Sequence, residues 1–483
     1  MLKAKYLLVI FALICTSTPF LFGQETPPAS SAPKAARVPP VVERKLSNGL
    51  TIASVERKAV PLVTIQLLVK SGASEEAPAK AGLADITASM LTKGTKTRSA
   101  TQVAEAIEFL GGTINSGAGW NSWFVSVTVT SDKVDQAMAI LADVVLNPKF
   151  DQKELDLLKS QTLDELTNNL KQPSFLANYV ASKYSFGEHP AGGTPDSIKG
   201  MTRDDIVAFH TANFRPDDAV LIFTGDIAPG SAEAISQKAF GTWKSSAGSR
   251  SQPQVVSMPA ARNGASQTIL VVDLPKSGQA AVTYAKPLMS VGRKSNVYYP
   301  AQVLNSVLGG GYSSRLNYEI RIKRGLSYGA GSSFAWRPSS SDFSTRTQTK
   351  NESAAEVVGL VLDEVKKLGE TSVGNEELVP RKSVLTGNFG RNLETTAGLA
   401  TAVGELYAFG IPTSELNAYV TSVNGVSDSE IKSFASGNLS RGDIIIVGDY
   451  SVFKDDLAKR FPKTSVDVIK ADDLDLSKDN LHK

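Results

Sequence analysis

A chain of 483 residues has room for about two to four domains, and with 42% hydrophobic and 20% charged residues it is built to bury large cores rather than to stay disordered. Its net charge of +3 is too small to mark a nucleic-acid partner or an acidic substrate.

The chain opens with Lys3 and Lys5 ahead of an apolar run over 6–15, and small or turn-forming residues follow as far as Gly23 and Gln24. This is the layout of a secretory signal, here residues 1–23. The apolar run is shorter than the roughly 18 residues a spanning helix needs, and no later stretch is long enough either. Cys15, the only cysteine, leaves with the signal. The mature chain then has no disulfide and no cysteine-bound metal. The expected location is the bacterial periplasm or another exported one, with no integral membrane domain after cleavage. Residues 24–40, rich in Pro, Ala and Ser, read as a linker.

From residue 41 a strand, a turn at Asn48-Gly49 and a second strand are expected, then a strand over 63–69. A helix over 81–91 carries Leu83, Ala84, Ile86, Met90 and Leu91. Ser99 and Gln102 form a capping box for the next helix, which Gly111-Gly112 ends. Val125, Val127 and Val129 alternate with polar residues in a strand. Helices follow over 132–145, 151–169, 174–184 and 204–213, with a strand over 220–224. The chain has three histidines, His189, His210 and His482, and no two share a helix face. His189, beside Pro190, reads as a loop residue with a structural role, and His210 as a surface or satisfied core residue.

An internal repeat organises the whole. Gly200, Ile206, Phe209 and Asn213 recur as Gly425, Ile431, Phe434 and Asn438, each 225 residues on. Residues 221–226 match 444–449 at an offset of 223, and 140–143 pair with 361–364 at 221. Three matches with a slowly drifting offset imply two homologous domains of ordinary size. They span 41–244 and 263–470, joined by a Ser/Gln/Pro-rich linker over 245–262 and followed by a charged tail over 471–483. Mixed strands and helices with long antiparallel stretches give an α+β class, two α/β-sandwich domains.

In the second domain, residues 309–334 gather a glycine run, Arg315, Arg321, Lys323, Arg324 and Tyr328. Ser313 or Ser314 is placed to cap a helix from Arg315, with Leu316, Ile320 and Tyr318 toward the core and Gly325 as its stop. Tyr328 falls seven residues after Arg321, at the start of an expected strand. The segment lacks the Gly-Lys-Ser/Thr ending of a phosphate-binding loop. Lys323 and Arg324 suit the negative end of the helix dipole.

Taken together, Leu46-Ser-Asn-Gly-Leu50, Ser71-Gly-Ala-Ser-Glu-Glu76, Ala81-Gly-Leu-Ala-Asp85, Leu91-Thr-Lys-Gly-Thr95, His189-Pro190, Arg215-Pro216, Gly225-Asp226, and in the second half 309–316 and 321–328, resemble the pitrilysin/insulinase superfamily of metallopeptidases, in its smaller processing-peptidase-like group. The resemblance implies two such domains forming half of a clam-shell chamber. It also implies an inverted zinc motif, H-x-x-E-H, on the first-half helix, in which two His bind zinc and the Glu serves as general base. Here those positions hold Asp85, Ala88 and Ser89, and Glu165 stands where the family places its carboxylate ligand. The three protein ligands of a catalytic zinc site are not assembled, so no metal or cofactor is expected in this chain.

The family's active members also carry an Arg and a Tyr seven residues apart that reach over the zinc site from the second half, and Arg321 and Tyr328 match that pair. By the same resemblance a first-half strand binds substrate backbone, which draws attention to Trp120, Trp123 and Phe124. The implied function is the non-zinc subunit of a heterodimeric zinc peptidase. Its partner is a homologous subunit bearing the zinc motif and the zinc, and its substrates are peptides. Arg321 and Tyr328 would serve substrate binding and transition-state stabilisation at the partner's site, and the chain alone would not hydrolyse peptides. The alternative is a non-enzymatic scaffold or peptide-binding protein of the same superfamily.

Overall fold

Both halves fold to one plan. The computed structural model describes residues 37–245, 268–478 and 480–483, so most of the expected linker and all of the expected signal lie outside the described residues. The first half runs β1 (Val42–Lys45), β2 (Thr51–Glu56), β3 (Leu62–Val69), α1 (Leu83–Leu91), α2 (Ala100–Phe109), β4 (Thr113–Ala118), β5 (Trp123–Thr130), α3 (Val134–Leu146), α4 (Gln152–Asn169), α5 (Pro173–Tyr184), α6 (Pro195–Lys199), α7 (Arg203–Asn213), β6 (Ala219–Gly225) and α8 (Pro229–Phe240). The second runs β7 (Ile269–Asp273), β8 (Ala280–Leu288), α9 (Tyr298–Leu308), a π-helical segment (Asn317–Ile322), β9 (Ala330–Trp336), β10 (Ser341–Thr349), α10 (Ala354–Glu370), α11 (Asn375–Glu394), α12 (Thr396–Phe409), α13 (Glu415–Gly425), α14 (Asp428–Asn438), β11 (Asp443–Gly448), α15 (Tyr450–Arg460) and β12 (Val466–Lys470).

Each half builds a six-stranded mixed sheet, ordered β1-β2-β6-β3-β5-β4 and β12-β7-β11-β8-β10-β9. β2 and β6 are parallel, as are β7 and β11, and the pairs around β3 and β8 are antiparallel. The duplication is therefore visible strand for strand, except at one edge. There the first half uses an antiparallel strand from its own start, and the second a parallel strand from near the end of the chain. β6 is buried along its whole length, as expected of a central strand covered on both faces.

What covers the second face of each sheet was not visible in the repeat. Own-half helices α1, α3, α7 and α8 pack one face of the first sheet, and α12 of the second half packs the other, with Leu399, Ala400, Val403 and Leu406 against Ala53, Leu68, Val220 and Ile222. In return α5 of the first half lays Leu176, Ala177, Val180 and Ala181 on Val272, Ala281, Ala285 and Ile445 of the second sheet. Each fully buried Leu or Val contributes on the order of 1.5–3 kcal/mol, so the two sandwiches stabilise one another. Polar anchors fix the docking: Thr64 donates to Thr396 Oγ1 at 2.8 Å and Thr224 to Thr396 O at 2.7 Å. The segment expected as a charged tail is anchored as well, since Leu481 is fully buried and Leu476 nearly so.

A second joint lies at the β9–β10 turn. Arg337 grips Glu188 of the first half with Nη2 at 2.6 Å from both carboxylate oxygens, and reaches Asp342 at 3.1 Å. Its guanidinium also lies 5.0 Å from the Trp120 ring. Burial and the neighbouring Glu188 push the Asp342 carboxyl up to about 7, while Arg337 pulls it down.

Candidate functional site

The first-half helix is set by a carboxylate at its N-terminus. Glu76 is buried and accepts from the N–H of Gly82 at 2.8 Å and of Ala84 at 2.7 Å, satisfying two donors that the first turn of α1 leaves open. His189 Nε2 donates to the same carboxylate at 2.9 Å, and its ring lies 5.0 Å from that of Trp120. His189 thus has the structural role expected of it. Trp123 is core, stacked on Phe214 at 3.3 Å, while Phe124 is partly exposed.

On α1, Asp85 is half-buried, Ala88 buried and Ser89 half-buried. Burial raises the Asp85 carboxyl above its ordinary range, and the carboxylates of Glu76 and Glu165 raise it further. Burial also pushes the Tyr179 phenol of α5 up to about 12, aided by Asp85 and Glu165. Glu165 thus lies near enough for its charge to act on both Asp85 and Tyr179. Tyr179 carried no sequence signal, because its proximity depends on how α5 packs. These donors do not fit a zinc ion. Ala88 offers nothing, Ser89 replaces a ligand, and Glu76 is committed to the helix and His189. Among the described residues no group of three or more His, Cys, Asp or Glu is arranged to hold a metal.

The second-half segment is held from several sides. Gly309 ends α9, where an added Cβ would come within 2.2 Å of the Ser332 nitrogen; its carbonyl accepts from Ser332 N–H at 3.2 Å. Only glycine permits that approach. The helix from Arg315 widens at Asn317–Ile322 into π geometry, with Lys323 N–H bonding Tyr318 O at 2.8 Å. Such widened turns are frequent at functional sites. Leu316 and Ile320 are buried as expected, but Tyr318 is half-exposed rather than core, because the wider turn leaves Asn317 in the inward place. The serines do not cap: Ser314 Oγ donates to Gly311 O at 2.6 Å, and Ser313 is bound by Arg381. Gly325, at φ +65°, stops the helix.

Three of the four cations of this segment are neutralised. Arg315 makes a two-pronged bond to Glu377, at 3.0 and 2.7 Å. Lys323 reaches Glu319 at 3.2 Å, and Arg324 binds Glu319 as well. Arg321 alone makes no ion pair among the described residues; its guanidinium lies 5.0 Å from the ring centre of Tyr312. Tyr328 is 90% exposed and sits two residues before β9 instead of on it. No hydrogen bond joins Arg321 to Tyr328, or either of them to the Asp85 group, among the described residues. Sequence reasoning missed Asn317, which is buried, donates to Tyr312 O and accepts from Ala330 N–H at 3.2 Å. That one side chain ties both ends of the Arg321 segment.

Comparison with known proteins agrees with this architecture. Residues 51–189 match the family described as Insulinase (Peptidase family M16), and residues 200–384 the one described as Peptidase M16 inactive domain. The chain is 27% identical over 368 residues to an uncharacterized zinc protease of Rickettsia bellii, covering 75% of this chain and 86% of that one. It is 25% identical over 361 residues to another of Bacillus subtilis, covering 72% and 83%. In fold it resembles a peptidase M16 inactive domain from Pseudomonas fluorescens, with a TM-score of 0.76 at 24% identity over 84% of this chain and 98% of that one. It also resembles a protease from Helicobacter pylori, with a TM-score of 0.78 at 19% identity over 85% and 100%.

Proposed function

The chain belongs to the pitrilysin/insulinase superfamily of metallopeptidases, and from that premise we propose that it is the non-zinc subunit of a heterodimeric, exported zinc peptidase. Its partner is a homologous chain carrying the intact zinc motif and the metal. This chain contributes Arg321 and Tyr328. Peptide hydrolysis builds negative charge on the carbonyl oxygen, and a phenol O–H and a guanidinium held toward that oxygen stabilise it. The fork of Arg also suits a peptide carbonyl or carboxylate. The observation that carries the reading is the isolation of Arg321: its three cationic neighbours are each spent on a carboxylate, while it is left against the ring of Tyr312, and Tyr328, seven residues on in the chain, is exposed. The Lys3, Lys5 and apolar-run layout supports export, and no helix among the described residues is long and apolar enough to cross a membrane.

The test is reconstitution with a co-expressed homologue that bears the zinc motif. The pair is expected to cleave peptides in a chelator-sensitive way, and Arg321→Ala or Tyr328→Phe to lower turnover by about a hundredfold, the usual effect of losing one such donor. The purified chain alone is expected to be inactive. Chelator-sensitive cleavage by the chain alone, or unchanged turnover in both variants, overturns the proposal. A pair that forms without cleaving anything would favour the scaffold.

A further inference from the structure

The duplication relates more than the strands. α4 follows the cap residue Asp151 and α11 the cap residue Gly374; α5 follows Gln172 and α12 follows Thr395. Both pairs of caps are 223 residues apart, so Glu165 corresponds to Asn388 and Tyr179 to Ala402. In the first half the charge of Glu165 acts on Asp85, and Tyr179 feels both carboxylates. In the second half Asn388 and Ala402 line an open pocket of about 450 Å³. The second half thus keeps a cavity at the place where the first half holds its altered metal motif.

The chemistry of the cavity is specific. Phe389, stacked on Tyr419 at 4.1 Å, forms an apolar wall with Leu385 and Leu406. Its charged groups are Arg293, Glu405 and Glu415. Arg293 is committed: it binds Glu415, and its guanidinium lies 3.7 Å from the ring centre of Tyr298. Glu405 makes no hydrogen bond or ion pair among the described residues and is exposed to solvent; partial burial against the pocket wall raises its carboxyl above the ordinary range, while the charge of Arg293 lowers it. One unpaired carboxylate beside an aromatic wall rejects anions. It is also too few donors for a metal ion. A cation with an apolar stem satisfies both features, through a charge-assisted hydrogen bond to Glu405 and a hydrocarbon contact with Phe389.

We propose that this second-half pocket binds a primary ammonium group carried on an apolar stem, with Glu405 as the acceptor of the ammonium. The ligand is either a free amine or a lysine side chain of a peptide, which share this chemistry. The proposal does not rest on the heterodimer, since the chain alone contains the whole pocket.

Calorimetric titration of the full chain with 2-phenylethylammonium is expected to show saturable binding, and the anionic isostere 3-phenylpropionate to show none. Glu405→Gln should weaken the amine at least about tenfold, the effect of losing a hydrogen bond to a charged group. Ala402→Phe, which fills the cavity, should abolish binding while circular dichroism stays that of the parent. A second arm compares a short peptide with a central lysine against its norleucine analogue. Binding of the lysine peptide alone identifies a peptide side chain as the natural occupant, and failure of both peptides identifies a free amine. The proposal is overturned if the amine does not bind at millimolar concentration, if Glu405→Gln binds it as well as the parent, or if the carboxylate isostere binds equally.

Discussion

The guanidinium of Arg321 lies 5.0 Å from the ring centre of Tyr312, and no carboxylate among the described residues competes for it. Exposed cation–ring contacts of this kind are worth about 0.5–1 kcal/mol, enough to bias the orientation of a long side chain without fixing it. Tyr312 is therefore a positioning residue for Arg321. Because Tyr312 is 67% exposed, Tyr312→Leu is expected to leave chain stability within about 0.5 kcal/mol of the parent. Turnover of the reconstituted pair should fall about threefold, and Tyr312→Phe should restore it. Equal turnover for Leu and Phe would show that the ring does not hold the guanidinium.

Asn317 spans the segment from Tyr312 O to Ala330 N–H. Asn317→Ala removes both bonds and leaves two backbone groups short of partners, a loss of about 2 kcal/mol. Urea denaturation of the chain alone measures it. A change under about half a kcal/mol would mean that water replaces the amide there.

His210 donates from Nε2 to Val145 O at 3.0 Å and packs against Phe150 and Phe214. Burial lowers its pKa to about 4, partly offset by the bond to Val145. A depressed folded-state value means that the unfolded chain takes up the proton first. The stability contributed by neutral His210 is full above about pH 6.5 and is lost as pH falls toward about 4, by up to about 3 kcal/mol. His210→Gln keeps a donor but cannot titrate. Denaturation midpoints measured across that window should fall more steeply for the parent than for the variant, and parallel curves would refute the assignment.

The charge of Glu165 raises the Asp85 carboxyl, and α1 packs against α4. Restoring the family motif with Asp85→His, Ala88→Glu and Ser89→His, Glu165 being kept, is expected to give about one tightly bound zinc per chain. The parent should retain none after dialysis. Metal analysis of the two proteins decides it, and a triple variant without zinc would show that the helix no longer presents those positions to Glu165.

The sequence by itself determined most elements of the first half, the duplication and the loss of the metal motif. Alternating valines in β5, the Ser99–Gln102 capping box and the stop at Gly325 act within a few residues, where backbone sterics and local hydrogen bonds dominate. The identities of Asp85, Ala88 and Ser89 are read directly from the chain, and an Ala has no donor in any fold. Local rules also misplaced Tyr318 and the serine cap. An i→i+4 pattern does not foresee a π turn that is held open by Asn317 bonding to a strand thirteen residues away.

Only the tertiary structure decided which side chains meet. The exchange of α5 and α12 between the halves, the meeting of Tyr179 with Asp85, and the spending of Arg315 on Glu377 of α11 all depend on contacts across dozens to hundreds of residues. The same holds for the pocket around Glu405. Four basic residues lie in the Arg321 segment; Glu319 at helical spacing marks Lys323 as paired, but the partner of Arg315 depends on where an acidic residue stands in space. Glu319, one turn back in the same segment, takes Lys323 and Arg324; packing brought Glu377 to Arg315 and left the fourth on an aromatic ring.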